Sequence, residues 1–352
     1  MGSKERLLGF IGQKIFSVVS ENDVRFGDLF CGTAAVSKLF KCNGKQVMAN
    51  DNLRCCYTFA RSVLAVNKEP SFTLLLDFVG DMSAGVKSLL DSPYTKVLGY
   101  LNSLPGQDGF IYREYSPGGT QRAEHERLYF TDANARRIDS IRSTVFDWFG
   151  KGLIDETEAC LLLADLMRAV NKVANTSGTY GCFNKTWDRR AHRPLELLPT
   201  LITESALPNE VYCEDATTVA RRSTFDVLYL DPPYNWRHYG AYYHILETLA
   251  SGDEPRVAGR TGLRAWDDSR SPFSVRTEAA GALRELMVVA KAKHIFLSYS
   301  SEGLIPHHEI LDICRDRGVT DFWEVGHRRF KSNGGGSNEK AVRERLYHVK
   351  GD

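Results

Sequence analysis

The run Phe225-Asp226-Val227-Leu228-Tyr229-Leu230 stops abruptly at Asp231-Pro232-Pro233-Tyr234-Asn235. Its apolar, β-branched and aromatic half predicts a buried strand of a parallel sheet, ended where proline can no longer donate to the ladder. Open α/β sheets bind ligands beyond the carboxyl ends of such strands. Asp231 is therefore expected in a crevice and not in a core.

The four residues that follow the strand suggest a chemistry. Asp231 offers a carboxylate acceptor. Pro233 pushes Pro232 into extended backbone, so the Pro232 carbonyl is a second acceptor with a preset direction. Tyr234 adds a flat aromatic face. Two fixed acceptors and a stacking surface suit a planar heterocycle bearing an exocyclic amino group. They favour the more positive, tetrahedral nitrogen of a transition state over the poorly nucleophilic ground state. A strand-ending turn with a buried tyrosine would use the same residues, so the order of the surrounding motifs has to decide.

Residues 5–20 have helical apolar spacing, with Gly9, Gly12 and Lys14 near the start. Backbone N–H groups and an ammonium there could approach a carboxylate, or the glycines could simply form a turn. Val24 to Phe30 reads as a strand running into Asp28-Leu29-Phe30-Cys31-Gly32-Thr33-Ala34-Ala35-Val36, a small-residue turn that lets a ligand approach the backbone. Val47 to Asp51 is a second strand, ending in an acid about twenty residues past the glycine, where doubly wound folds hold ribose hydroxyls. Asp51 could equally cap the next helix. Glu210 to Ala216 is a third short strand ending in acids, and Asp215 could cap the helix that follows.

From Glu69 to about Leu195 the β/α alternation is lost. Gly/Pro-rich loops and aromatic-plus-arginine stretches, with Arg113, Arg122 and Arg127, lead into a long helical piece from Ile138 to Lys172. A small-residue and aromatic segment with Tyr180 and Lys185 follows. Basic groups interleaved with aromatics suit a nucleic-acid groove, although a solvated helical insertion would also carry them. Beyond Tyr234 an aromatic cluster that includes Tyr239 either walls the pocket for such a heterocycle or packs under the next helix. Residues 251–275 read as a polar loop whose arginines contact phosphate or form a lid. A closing β pair, Asp321–His327 and Arg345–Val349, is joined by a basic, then glycine-rich loop with Arg329, Lys331 and Asn333, suited to phosphates.

A net charge of +1 argues against a uniformly basic coat but leaves room for a local basic face. No apolar run has the length of a membrane span and there is no signal-peptide core, so a cytoplasmic protein is expected. The eight cysteines show no Cys-x2-Cys pair, so no metal is expected.

Asp231-Pro232-Pro233-Tyr234 resembles the Asp-Pro-Pro-Tyr motif of S-adenosylmethionine-dependent DNA adenine-N6 methyltransferases. The ordered set around it is similar to that of the Dam-type and restriction-modification methylases. The resemblance implies a Rossmann-like α/β fold, mostly parallel with a C-terminal antiparallel pair. A catalytic domain of residues 1–70 and 196–352 would then be interrupted by a mainly helical target-recognition domain at 71–195. It implies S-adenosylmethionine as cofactor, held by Gly12, Lys14, Asp28, Phe30, Gly32, Asp51, Asp215 and Asp231. It implies Asp231, Pro232, Pro233 and Tyr234 as the catalytic group. Arg113, Arg122, Arg127, Tyr180, Lys185, Tyr239, Arg329, Lys331 and Asn333 would meet double-stranded DNA. The expected chain is a monomer, paired in its biology with a separately acting endonuclease or working as an orphan methylase. Ala34 stands where the family has a second glycine, which is neutral at negative φ and costly at positive φ. An RNA or cytosine-N4 methyltransferase and a non-catalytic DNA-binding relic remain open on these residues. A nicotinamide dehydrogenase would share the glycine turn but have no use for Asp-Pro-Pro-Tyr.

Overall fold

The structure is a computed structural model describing residues 4–79, 92–266, 269–327 and 342–351. Its strands, in chain order, are β1 (Arg25–Asp28), β2 (Gln46–Asn50), β3 (Glu210–Tyr212), β4 (Thr224–Leu230), β5 (Val257–Ala258), β6 (Leu263–Arg264), β7 (Lys291–Ser300), β8 (Val319–His327) and β9 (Val342–Lys350). Seven form one sheet in the order β3-β2-β1-β4-β7-β9-β8. The first five run parallel. β9 is antiparallel to both β7 and β8. The mixed α/β fold and the closing antiparallel pair agree with the sequence reading.

Two compact units divide the chain. One comprises Met1–Ala60, Ser205–Gly240 and Asp267–Asp352, the other Arg61–Glu204 and Ala241–Trp266. The second unit is thus wider than the 71–195 insertion read from sequence, and it includes residues 241–266.

In the first unit the whole seven-stranded sheet is assembled. The expected strand of β4 is the central one, buried from Val227 to Leu230. One face of the sheet packs against helices Ala216–Arg222, Ala279–Val289 and His307–Arg317 through Leu228, Leu230, Ile295, Leu283 and Ile310. Helices α1 (Leu8–Phe16) and α2 (Ala35–Cys42) add a further aromatic layer, in which Phe40 stacks on Phe26 at 3.7 Å and meets Phe16 at 5.0 Å. Gly27 of β1 is required by close approach: a Cβ there would come within 2.5 Å of the Phe225 ring. The strand order reverses between β1 and β4, with Asp28 registered against Tyr229. Chain connections diverge at such a switch point and leave a crevice at the strand ends.

The second unit is mainly helical. The long helical piece expected over Ile138–Lys172 consists of two helices, Asp132–Gly150 and Glu156–Val173. Gly152 at φ +69° turns the chain between them, and a reciprocal capping box of Asp155 and Glu158 starts the second. The segment expected as an open polar loop contains the β5–β6 hairpin. Arg264, expected near phosphate or in a lid, instead forks onto Asp253 at 3.0 and 2.7 Å. Among the described residues no helix is long and apolar enough to cross a membrane.

Candidate active site

Asp231 follows the last residue of β4, two positions past Tyr229, which is registered against Asp28 at the carboxyl end of β1. Its Oδ1 sits 3.1 Å from Lys4 Nζ. Lys4 also donates to Glu344 Oε1 on β9 at 2.5 Å. Ser298 Oγ of β7 donates to the same oxygen at 2.6 Å. The three charged side chains are largely withdrawn from solvent, at 18% exposure for Asp231, 13% for Lys4 and 3% for Glu344. Burial opposes the charge on Lys4, but Asp231 and Glu344 hold its ammonium well above the usual lysine range. Burial raises the Asp231 carboxyl, Lys4 pulls it down, and Glu344 pushes it up again. The balance leaves it above an ordinary aspartate.

Tyr234 is half-buried and fixed on two sides. Its carbonyl accepts the Leu304 N–H at 2.8 Å, and its ring meets Tyr299 edge-on at 6.2 Å. Lys4 Nζ lies 5.9 Å from its ring centre. Pro232 is buried between them in sequence. A carboxylate and an aromatic face are therefore presented together, each anchored by groups that do not depend on a ligand.

Two residues define the turn after β1. Gly32, at φ +51°, donates its N–H to Asp51 Oδ2 at 2.9 Å. A Cβ built on Gly32 would meet nothing within 4 Å, so there is open space beside the turn. The other Asp51 oxygen accepts the Leu53 N–H at 3.1 Å. Helix α3 (Arg54–Leu64) begins one residue later, so Asp51 braces the turn after β1 against the entry to that helix. A carboxylate can accept more than one hydrogen bond per oxygen, the chemistry a ribose hydroxyl needs. Asp28 is buried, and burial pushes its carboxyl up to about 7 against the opposing bond from Ser37 Oγ. Phe30 is half-buried and meets Phe273 edge-on at 5.2 Å. Asp215 caps the helix Ala216–Arg222 through Thr218 N–H at 2.9 Å and stays exposed. The open cradle at Gly32, the braced Asp51 and the aromatic Phe30 fit the S-adenosylmethionine that the resemblance implies.

A family model for the D12 class N6 adenine-specific DNA methyltransferases matches residues 1–311. The chain belongs to this family. It is 37% identical to the type II methyltransferase M.FokI of Planomicrobium okeanokoites over 94% of its own length and 49% of that protein's. It is 35% identical to the type II methyltransferase M.NlaIII of Neisseria lactamica, covering 95% of this chain and 92% of that protein. It is 32% identical to the modification methylase StsI of Streptococcus sanguinis, with 99% and 51% covered. The chain thus spans about half the length of two of these D12 relatives and nearly all of the third.

The fold of this D12 chain corrects the N-terminal motif. Gly12 is buried in α1, where a Cβ would stand 3.0 Å from Leu39, and Lys14 Nζ lies 5.8 Å from the Trp323 ring centre. Lys4, not Lys14, is the lysine at Asp231. The signal that could have found it is a second Gly-x-Lys in the sequence, Gly2-Ser3-Lys4, ten residues earlier. Glu344 gave no sequence signal, because a glutamate between two arginines in a strand reads as surface. Asn50 was also missed. It is buried, and its side-chain amide bonds Leu29 O at 3.3 Å, Glu214 O at 3.0 Å and Glu214 N–H at 3.1 Å. One side chain thus clamps the ends of β1, β2 and β3.

In the second unit, Arg127 and Tyr180 are buried and not at a nucleic-acid surface. Arg127 donates to Glu114 Oε2 at 2.9 Å and to Gly259 O at 3.1 Å. Tyr180 bonds Asn171 Oδ1 at 2.8 Å through its hydroxyl, and its carbonyl accepts from Tyr129 at 2.7 Å. Both residues are spent on packing, since buried polar groups need such partners. Arg122 and Lys185 are exposed. Arg113 is exposed but paired with Glu254 at 2.7 Å. Tyr239 is half-buried. Asn175 organises the loop that bears Lys185, bonding Leu128 O at 2.9 Å, Asn184 O at 3.1 Å and Asp188 N–H at 2.9 Å. Arg329, Lys331 and Asn333 lie outside the described residues.

Proposed function

We propose that this chain transfers a methyl group to N6 of an adenine flipped out of double-stranded DNA. The observation that carries the reading is the delivery of Asp231 and Tyr234 to the strand ends at the β1/β4 switch point, next to the open Gly32 turn. An N6 amine inside a duplex cannot be reached, so the base has to leave the stack. Tyr234 offers the face on which it rests. Asp231 and the Pro232 carbonyl accept the two N6 hydrogens and stabilise the nitrogen as it becomes cationic. A carboxylate is too weak a base to deprotonate neutral N6, so the proton leaves only after the nitrogen is positive. Bound S-adenosylmethionine supplies the electrophilic methyl. Asp28, Phe30, Gly32, Asp51 and Asp215 are the residues that would hold it. The exposed Arg113, Arg122 and Lys185 of the second unit are proposed phosphate contacts, and that unit the target-recognition module. A monomer serving a restriction-modification pair, or acting alone, fits this reading.

The test is expression in a host lacking adenine methylation, followed by long-read mapping of N6-methyladenine. Methylation at one short motif, lost in Asp231→Ala with cofactor binding retained, supports the proposal. A soluble protein that leaves the genome unmarked but methylates RNA or cytosine N4 would overturn it.

A further inference from the structure

A single buried cation serves two carboxylates here. Lys4 Nζ is 2.5 Å from Glu344 and 3.1 Å from Asp231, so the noncatalytic carboxylate has the shorter contact. Glu344 is buried and is fixed by Ser298 Oγ at 2.6 Å, which joins β9 to β7 across the sheet. If Lys4 had only Asp231 as partner, a tight buried pair would form and the carboxylate would lose much of its capacity to accept from a substrate amine.

We propose that Glu344 is a positioning residue for methyl transfer, holding Lys4 so that its charge is shared and Asp231 keeps acceptor strength for the reacting amine. The inference rests on the methyltransferase reading given above. Among the described residues, the charged and titratable groups that act on or respond to Asp231 include Lys4, Glu344 from β9, Asp28 from β1, Tyr229 from β4 and the adjoining Tyr234. Lys4 lowers the Asp231 pKa and Glu344 raises it. Removing the Glu344 charge therefore lets Asp231 titrate at lower pH.

Glu344→Gln retains the shape and an acceptor for Ser298. The expected result is a kcat lowered roughly tenfold or more with KM for DNA and cofactor nearly unchanged, and an acid limb of kcat displaced to lower pH. A carboxyl 13C NMR titration of Asp231 reads the same displacement without turnover. Ser298→Ala keeps every charge but loosens Glu344, and should shift both readouts in the same direction by less. An Asp231 titration identical in wild type and folded Glu344→Gln would overturn the inference whatever the activity. If Glu344→Gln does not fold, an unmoved titration in Ser298→Ala overturns it instead. A displaced titration in a chain that methylates no adenine would support the charge sharing and sink the methyltransferase reading alone.

Discussion

Lys4 Nζ lies 3.1 Å from Asp231 Oδ1, so the carboxylate that follows the central strand is met by a largely buried ammonium. Lys4→Met leaves Asp231 and Glu344 facing each other with no cation between them. We expect stability to fall by about 3 kcal/mol, the scale of breaking a buried ion pair. Turnover should fall about 100-fold, the scale of losing one preorganised charge. Without Lys4, Asp231 stays protonated to higher pH, so the acid limb of the rate moves up, opposite to its movement in Glu344→Gln. Thermal unfolding and a pH–rate profile check both. An acid limb that stays in place would show that Lys4 does not govern Asp231.

Asp51 braces Gly32 and Leu53 with its two oxygens. Asp51→Ala frees both N–H groups and removes the proposed ribose acceptor. Cofactor affinity measured by calorimetry should weaken at least about 10-fold, equivalent to one charged hydrogen bond. Affinity within twofold of wild type would remove Asp51 from the cofactor site.

Ala34 adopts φ +59° and ψ +27°, the left-handed conformation that costs a non-glycine residue about 1 kcal/mol. It is also fully buried. Ala34→Gly relieves the strain but forfeits a buried methyl worth about 0.8 kcal/mol. The two nearly cancel, and the melting temperature should hardly change. Ala34→Val combines a β-branched side chain with positive φ and should cost about 2 kcal/mol or more. A valine variant as stable as wild type would show that the turn relaxes away from this conformation.

Burial holds the Asp28 carboxyl up at about 7, against about 4 in an unfolded chain. Between those values the folded state keeps a proton that the unfolded state has released, so this residue's contribution to stability falls as pH rises from about 4 to about 7. Below about 4 both states are protonated and the contribution is fully present. Asp28→Asn should flatten that part of the stability–pH curve, by an amount on the order of a few kcal/mol. Urea unfolding at intervals across this range measures it, and parallel curves for variant and wild type would contradict the assignment.

Asn175 closes the Lys185 loop with bonds to three backbone groups. Asn175→Ala should cost about 3 kcal/mol through unsatisfied buried polar groups. If the loop meets DNA, the KM for DNA rises while cofactor affinity holds. A melting temperature loss with unchanged KM would leave the loop with a structural role only.

The central strand, its stop at two prolines, the acid after β2 and the closing antiparallel pair were all legible in the sequence. Each is a local pattern, in which alternation, chain-breaking residues and spacing act within a few positions. The strand order was not legible, because pairing between β1 and β4 joins segments far apart in sequence. What no local pattern could supply was the partner of Asp231. Lys4 and Glu344 come from opposite ends of the chain and read alone as surface charges. They become a buried triad only because the parallel sheet and its antiparallel extension bring β4, β7 and β9 side by side. The same holds for Arg127 and Tyr180, whose composition suits a nucleic-acid surface but whose burial is set by packing. Sequence determined which chemical groups the chain owns and where its strands end. Tertiary structure decided which charges lose their water, and that loss is what couples one buried charge strongly to the next.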